Sequence, residues 1–532
     1  MASNSTITIA ASNESLPQAR AFIEKALGRR RISADAVSEA MMLFDVLFRK
    51  AVDQVGDPGS ELEITLVREL SRTDIKITLE GIRFLLPEDG ASSDSDTQVL
   101  AEFSDKLSCS HQSGDTIVTI SVSKNAWSIV LPSIIAVIAA LIVGIVLEFT
   151  VDEAGRNKIA VEWVAPLANL FTNAALMIGA PMTLFSLLKN VTNSFIAAER
   201  HSSVRKLFVS AVSSSVSVIV LALIMGFGVA QWILSTSGIT HQLDMGLANW
   251  TLASAVNQII PSSIIEPFTT ISPVPMIFVA LLVASALKRV GQNSGVLKRA
   301  IDACYNLFSA ILSIVMAVFP VACFLLFLGI LLANDGVTLF LEILFIVAVV
   351  FLCTVPFLLL YALRLKMRGI RVIAFAKKLW PLVKENFIMG SVIDAVPYNT
   401  RYCSKNFGVP RKRLEKELPI LAQTSLDGNC FILMLLAAIY IFFANCEVSW
   451  FHIAVIALIV IFLSFGAPNQ PGSILIGMLV ILTYLKSDTA ISLALCFELF
   501  CGGLQNILNV ISSVVTVVEN ECRETGSLPE MQ

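Results

Sequence analysis

Two carboxylic acids and a carboxamide stand in stretches of the chain that are otherwise apolar: Asp427 in SLDGNCFILMLL, Glu498 in ISLALCFELF and Asn509 in QNILNVISS. Asp394, in GSVIDAVP, is a further acid of this kind. An ionised side chain at the centre of a hydrocarbon layer costs about 2.5–3.5 kcal/mol on insertion scales, so an acid kept there is functional by default. The chemistry open to it is to ligate a hard cation or to carry a proton. The plain alternatives are that Asp427 pairs with a lysine or a backbone donor for structure, and that Asp394 and Glu498 are polar residues near an interface.

The elements that must position these groups are apolar helices, two of them broken. The apolar stretch 376–414 is interrupted by GSVIDAVP and the stretch 452–484 by GAPNQPG, so neither holds an unbroken helix through its centre. In lipid each freed backbone group costs several kcal/mol, which places the breaks inside protein or against a water-filled cavity. Paired interrupted segments point to a solute site; helices merely kinked against neighbours are the alternative. Unbroken apolar runs lie near 127–149, 163–188, 204–235, 273–290, 297–332, 337–365, 419–445 and 488–518, each long enough to cross about 30 Å of hydrocarbon. If both broken stretches return to the side they entered from, inner loops hold Lys189, Arg200, Arg205, Lys206, Lys288, Arg289, Arg364, Lys366, Arg368, Arg411, Lys412 and Arg413 among others. Outer loops hold only Arg156, Lys158 and Lys486, a bias of roughly 20 to 3 that follows the positive-inside rule. The expected architecture is an all-α membrane region of eight transmembrane helices plus two re-entrant helical hairpins, the first entered from inside and the second from outside.

Composition agrees. Of 532 residues, 55% are hydrophobic and only 15% charged, too few charges to cover the surface of an ordinary soluble enzyme. A net charge of -3 offers no basic surplus for phosphates, so nucleic acid is not an expected partner. The ten cysteines include no Cys-x-x-Cys pair and read as small buried side chains. Charges are dense before about residue 125, which sets off a soluble region. The start, MASNSTITIAASNES, has neither a basic nor an apolar leader segment, so the first domain is expected to stay in the cytoplasm.

Residues 1–125 alternate as strand (STITIAAS), helix, helix, two strands (ELEITLVREL, TDIKITLEGIRF), helix (DTQVLAEFSDKLS) and final strand (DTIVTISVS), an α+β sandwich. That order, with Glu39 in the second helix and EGIRF after a strand, resembles the histidine-kinase-like ATPase fold of anti-sigma-type kinases. The resemblance implies a helical Asn for magnesium and a strand-end Asp for adenine, but the matching positions are Leu43 and Leu79, which can do neither. A degenerate regulatory or docking module, with a cytoplasmic protein partner or ligand, is the expectation. Residues 86–98 read as a solvated loop where that family has its nucleotide lid. With no P-loop either, an ATP-driven pump is disfavoured.

The layout of 127–520 resembles the dicarboxylate/amino acid:cation symporter family, the glutamate-transporter-like proteins. The likeness rests on IGAPMTLFSLLKNVTNS, IPSSIIEPFTTISPVPMIFVALLVASAL, SLDGN, GAPNQPGSILIGMLVIL and QNILNVISS, in that order between the expected spans. It implies a transporter rather than an enzyme, in a multi-pass inner-membrane homotrimer with both termini cytoplasmic, each subunit sliding a transport domain as an elevator. The domain reading is 1–125 soluble, 126–520 symporter and 521–532 tail. It calls for no cofactor, only sodium or a proton as coupling ion, and a small organic solute as substrate. The resemblance implies that Asp427, Asn509 and Ser425 hold sodium, and that Ser391, Asp394, Asn429, Pro471, Gly472, Gln505, Asn506 and Asn509 line the solute site.

Departures weigh as much. Counting back from Asn509, the family's Arg for an acidic side chain falls on Gln505 and its Asp for a substrate amine on Gly502; its later cation-ligating Asp becomes Ser513. Without guanidinium and amine-holding Asp, a neutral polar solute is easier to accommodate. With one anionic ligand fewer, proton coupling through Glu498 or Asp394 can replace sodium. The alternative function is a transport-deficient, receptor-like membrane sensor that signals through the N-terminal domain.

Overall fold

The computed structural model describes residues 5–28, 34–55, 61–68, 72–79, 100, 107–112, 115–124, 127–200, 202–237, 259–264, 266–267, 272–290, 294–332, 336–389, 391–393, 395–443, 449–466, 472–485 and 491–525. The chain forms two compact units, one of Met1–Ser128 with Asp394–Tyr402 and one of Ile129–Ile393 with Cys403–Gln532.

In the N-terminal unit, strands β1 (Ser5–Ala10), β2 (Glu61–Arg68), β3 (Arg72–Leu79), β4 (Leu107–Gln112) and β5 (Asp115–Lys124) form one antiparallel sheet of order β1-β2-β3-β5-β4. Leu62, Ile64 and Leu66 alternate with exposed or half-buried neighbours, as do Val118, Ile120 and Val122, and half-buried Lys76 and Thr78 separate Ile75, Ile77 and Leu79, so one face is buried. Helices α1 (Leu16–Gly28) and α2 (Ala34–Val55) contribute to the same core. Ala19, Ile23 and Leu27 in α1, and Ala40, Leu43, Phe44, Leu47, Phe48 and Ala51 in α2, recur at the helical period. Leu43 and Leu79 are thus core side chains. Sequence reading gave four strands; the sheet has a fifth, because Leu107 and Ser108, read as the end of a helix, begin β4. Gln112 pairs with Asp115, so only Ser-Gly links β4 to β5, a two-residue connection suited to a hairpin. The remainder of the helix expected at 96–108, Leu100 aside, and the lid at 86–98 lie outside the described residues.

In the second unit, α3 (Trp127–Thr150) leads through α4 (Glu153–Ile159) and a π turn (Ala160–Val164) into α5 (Ala165–Arg200), followed by α6 (Ser202–Ser237), α7 (Pro273–Val290), α8 (Ser294–Ala317), α9 (Phe319–Leu332) and α10 (Gly336–Met367). Then come α11 (Val372–Met389), α12 (Val396–Phe407, of which only the residues after Tyr402 belong to this unit), α13 (Arg411–Thr424), α14 (Asp427–Phe443), α15 (Trp450–Gly466), α16 (Ser473–Tyr484) and α17 (Ile491–Thr525). Among the described residues, 7 helical stretches are long and apolar enough to cross a membrane. The run expected as one span over 297–332 is two helices, broken at Val318. Pro320 explains the break: it has no N–H to give Met316 O, and its ring clashes with that carbonyl.

Both interrupted stretches fold back on themselves. Lys378 in α11 donates to the carbonyl of Asn406 in α12 at 3.1 Å, and Phe375 stacks on Phe407 at 4.9 Å, so the outer ends of α11 and α12 meet. The outer ends of α15 and α16 meet where His452 Nδ1 and the Tyr484 hydroxyl share a hydrogen bond of 3.0 Å. Helix α14 is the centre of the unit. From Cys430 to Ile441 every residue is buried, so it has no solvent or lipid face, as an all-apolar helix requires. By contrast α3 exposes Ile135, Ile138, Ile142 and Phe149 along one side.

Candidate functional site

Helices α13 and α14 would be one rod but for Ser425 and Leu426, which are not helical. The break leaves the first N–H groups of α14 without intrahelical partners. One is met from outside the helix: Asn509 Oδ1 on α17 accepts the Asn429 N–H at 3.1 Å, a cap supplied by another helix. The contact is close because residue 428 is glycine. A Cβ there would lie 2.6 Å from the Gln505 carbonyl oxygen and 2.8 Å from Asn509 N.

Asp427, wholly buried, opens α14 and turns its carboxylate toward α6 and α10. Oδ1 accepts from the Ser215 hydroxyl at 2.7 Å; Oδ2 accepts from Ser214 at 2.6 Å and from the Tyr361 hydroxyl. Phe357 and Phe431 pack on this cluster, their rings 5.2 Å apart, and such a low-dielectric wall strengthens each bond to the charge. Arg364, in the last turn of α10, donates to Ser214 Oγ at 2.9 Å and lies over the Tyr361 ring at 4.9 Å. It also donates twice to Glu519 Oε2, at 2.8 and 3.1 Å, while Arg368 and Arg523 reach Oε1 at 3.1 and 3.0 Å. Arg364, counted above among the inner-side cations, is a partly buried link from Ser214, and through it Asp427, to Glu519.

A second polar string joins α16, α17 and α14. Ser473 Oγ donates to Gln505 Oε1 at 2.8 Å, and the backbone of Gln505 and Asn509 crosses Gly428. Glu498 accepts from the N–H of Gly472 at 2.7 Å and of Leu475 at 2.9 Å. Asn429 is fully buried, yet neither Oδ1 nor Nδ2 has a partner, and the same holds for Ser425 Oγ. Unmet buried amide groups are costly, and a ligand with a matching donor and acceptor removes that cost.

The structure gives the residues expected to share sodium different hydrogen-bond partners. Asp427 engages hydroxyls of α6 and α10, while Asn509 engages α14 and Ser425 lies at the break. Ser512 and Ser513 both donate to Asn509 O, at 2.9 and 2.8 Å. Gly472, at φ 108°, sits at the fold of the second pair, and Ser391 is buried near that of the first. Asn506 is half-buried on α17; Asp394 and Pro471 lie outside the described residues. Sequence reasoning missed Ser214, Ser215 and Tyr361. The available signal was a serine run, SAVSSSVSV, within an apolar helix.

The oxygen-only set of Asp427, Ser214, Ser215 and Tyr361 suits a hard cation in donor type. Among the described residues no cluster of His, Cys, Asp and Glu that could hold a metal ion is present. The family model described as sodium:dicarboxylate symporter family matches residues 130–519. No curated protein matches the chain.

Proposed function

The chain belongs to the sodium:dicarboxylate symporter family, and from that premise we propose that it is a cation-coupled symporter for a small organic solute in the inner membrane. Membership itself makes it a membrane transporter of small molecules rather than an enzyme. The finer reading follows from one observation: the broken start of α14 crosses α17 at Gly428, with the unpartnered Asn429 amide on one side and the Asp427 carboxylate on the other. Broken helices at membrane depth belong where a solute or ion replaces the lost backbone partners.

In this reading the pairs α11–α12 and α15–α16 are the re-entrant hairpins, which together with α14 and α17 form the moving body of an elevator. The other helices, with α3 presenting its apolar side to lipid, belong to a homotrimeric scaffold. The solute contacts Asn429, Gln505, Asn506, Asn509, Ser391 and Gly472. A sodium ion would be held by Asp427, Ser214 and Ser215, with Ser425 and Asn509 at the break; a proton would ride on Asp394 rather than on Glu498, both of whose oxygens already accept from backbone N–H groups. The module of residues 1–125 is a cytoplasmic regulator, derived from an ATPase-like fold, that binds a protein or small ligand. The sensor reading has one observation in its favour, that Arg364 already sets a fixed positive charge beside Asp427.

Protein in proteoliposomes decides between the two. The symporter accumulates at least one member of a panel of amino acids, amides and organic acids when an inward sodium or proton gradient is imposed. A sensor binds a panel member, read as raised thermal stability, and accumulates none.

A further inference from the structure

Helix α16 starts at the fold of the second pair, with its first N–H groups directed at α17. Any helix start offers an anion unpaired donors and the positive end of the dipole. Here the anion belongs to the chain itself. Gly472 N–H donates to Glu498 Oε1 at 2.7 Å and Leu475 N–H to Oε2 at 2.9 Å, so one side-chain carboxylate engages the helix start through both of its oxygens. Gly472 turns its backbone to φ 108°, a conformation that glycine adopts without strain.

Position 502 makes room for this arrangement. A Cβ on Gly502 would lie 2.9 Å from Glu498 Oε1, so any side chain there collides with the carboxylate in its present place. An acid at 502, one helical turn along α17, and Glu498 in this pose exclude each other. The acid on this stretch of α17 stands one turn N-terminal to Gly502, where it meets backbone donors of α16.

We infer that Glu498 is a resident carboxylate filling the anion cradle at the start of α16, and that it selects against solutes presenting a free carboxylate there. The selection rests on the solute site of the proposed function; the filling of the cradle does not. What remains for a solute is neutral polar chemistry. The Asn429 amide presents an unused donor and an unused acceptor, and Gln505 is held by Ser473 beside the same helix start. A solute with amide or hydroxyl groups fits this set; one that needs its own carboxylate at α16 meets a like charge.

Acetate is the fragment that Glu498→Ala deletes, and acetamide is its neutral counterpart. Thermal unfolding of the full chain in nanodiscs is measured for wild type, Glu498→Ala and Gly502→Ala, with each additive. The wild type shows the same melting temperature with acetate as with acetamide. Glu498→Ala melts lower, and acetate restores a large part of the loss in a dose-dependent way that acetamide does not. Gly502→Ala keeps the glutamate but pushes it aside, and shows a smaller acetate-specific rise. An acetate rise in the wild type equal to that of the variants, or none in either variant, overturns the inference. Because the readout is binding, its failure leaves accumulation in proteoliposomes untouched, and loss of accumulation leaves this result standing.

Discussion

Gly428→Ala puts the crossing of α14 and α17 under a measurable load. The added Cβ would stand 2.6 Å from Gln505 O, 2.6 Å from Leu508 Cβ and 2.8 Å from Asn509 N. Favourable contacts between carbon atoms lie at about 3.5–4.0 Å, so the two helices must part by about 1 Å. Two of the three atoms are backbone, which cannot swing away as a side-chain end can. Overpacking of this kind costs about 1–3 kcal/mol. Parting also strains the Asn429 N–H bond to Asn509, worth about 1 kcal/mol net. Alanine's better helix propensity returns less than about 1 kcal/mol at a helix start. The balance is a loss of about 2 kcal/mol, read as a lower melting temperature of the full chain in nanodiscs, with solute accumulation falling in parallel. Gly179→Ala in α5 is the control, because its Cβ would meet nothing within 4 Å, and it is expected to be neutral or mildly stabilising. A Gly428→Ala protein as stable as the Gly179→Ala protein would refute the close crossing.

Further outcomes follow from the same contacts. Glu519→Ala leaves the partly buried Arg364 without its carboxylate and should lower stability by about 3 kcal/mol in denaturant or thermal unfolding, with the more exposed Arg368 and Arg523 contributing little. Asn429→Leu removes the unpartnered amide at similar volume; it should raise the melting temperature, by about 1 kcal/mol of stability, while solute accumulation falls severalfold. In the N-terminal unit, burial raises the Asp45 carboxyl above its ordinary 3.8, opposed by Arg20. The folded form then holds a proton more tightly than the unfolded form. Its stabilising contribution is complete below 3.8 and is lost as pH rises through the raised value. Amide exchange in α2 of the full chain should therefore quicken across that window beyond its intrinsic pH dependence, and Asp45→Asn should remove the excess.

The breaks in the membrane helices were legible because glycine and proline act locally: GSVIDAVP and GAPNQPG cannot continue a helix, whatever surrounds them. The core faces of α1 and α2 were legible through their helical period. Strand β4 was not, since LSCSHQ is short and polar, and it is held in place by pairing with β5 rather than by its own propensity. Pro320 was visible in the run 297–332, but unbroken hydropathy masked the kink it causes. The site was half legible. A lone acid in an apolar stretch marks itself, so Asp427 and Glu498 stood out. Their partners did not: the serines of α6 look like ordinary small residues, and Tyr361 and Arg364 lie 66 and 63 positions from Asp427. The engagement of Glu498 by backbone donors carries no side-chain signature in the sequence at all.

The most direct test of coupled transport at the α14 break is accumulation of a bound solute in proteoliposomes, comparing wild type with Asp427→Asn under the same imposed cation gradient. The account predicts gradient-driven accumulation by the wild type and its loss in Asp427→Asn, which removes the charge and puts an NH2 donor in place of one of the two oxygens to which Ser214, Ser215 and Tyr361 donate. Equal accumulation by the two proteins, each folded and reconstituted to the same density, would contradict it.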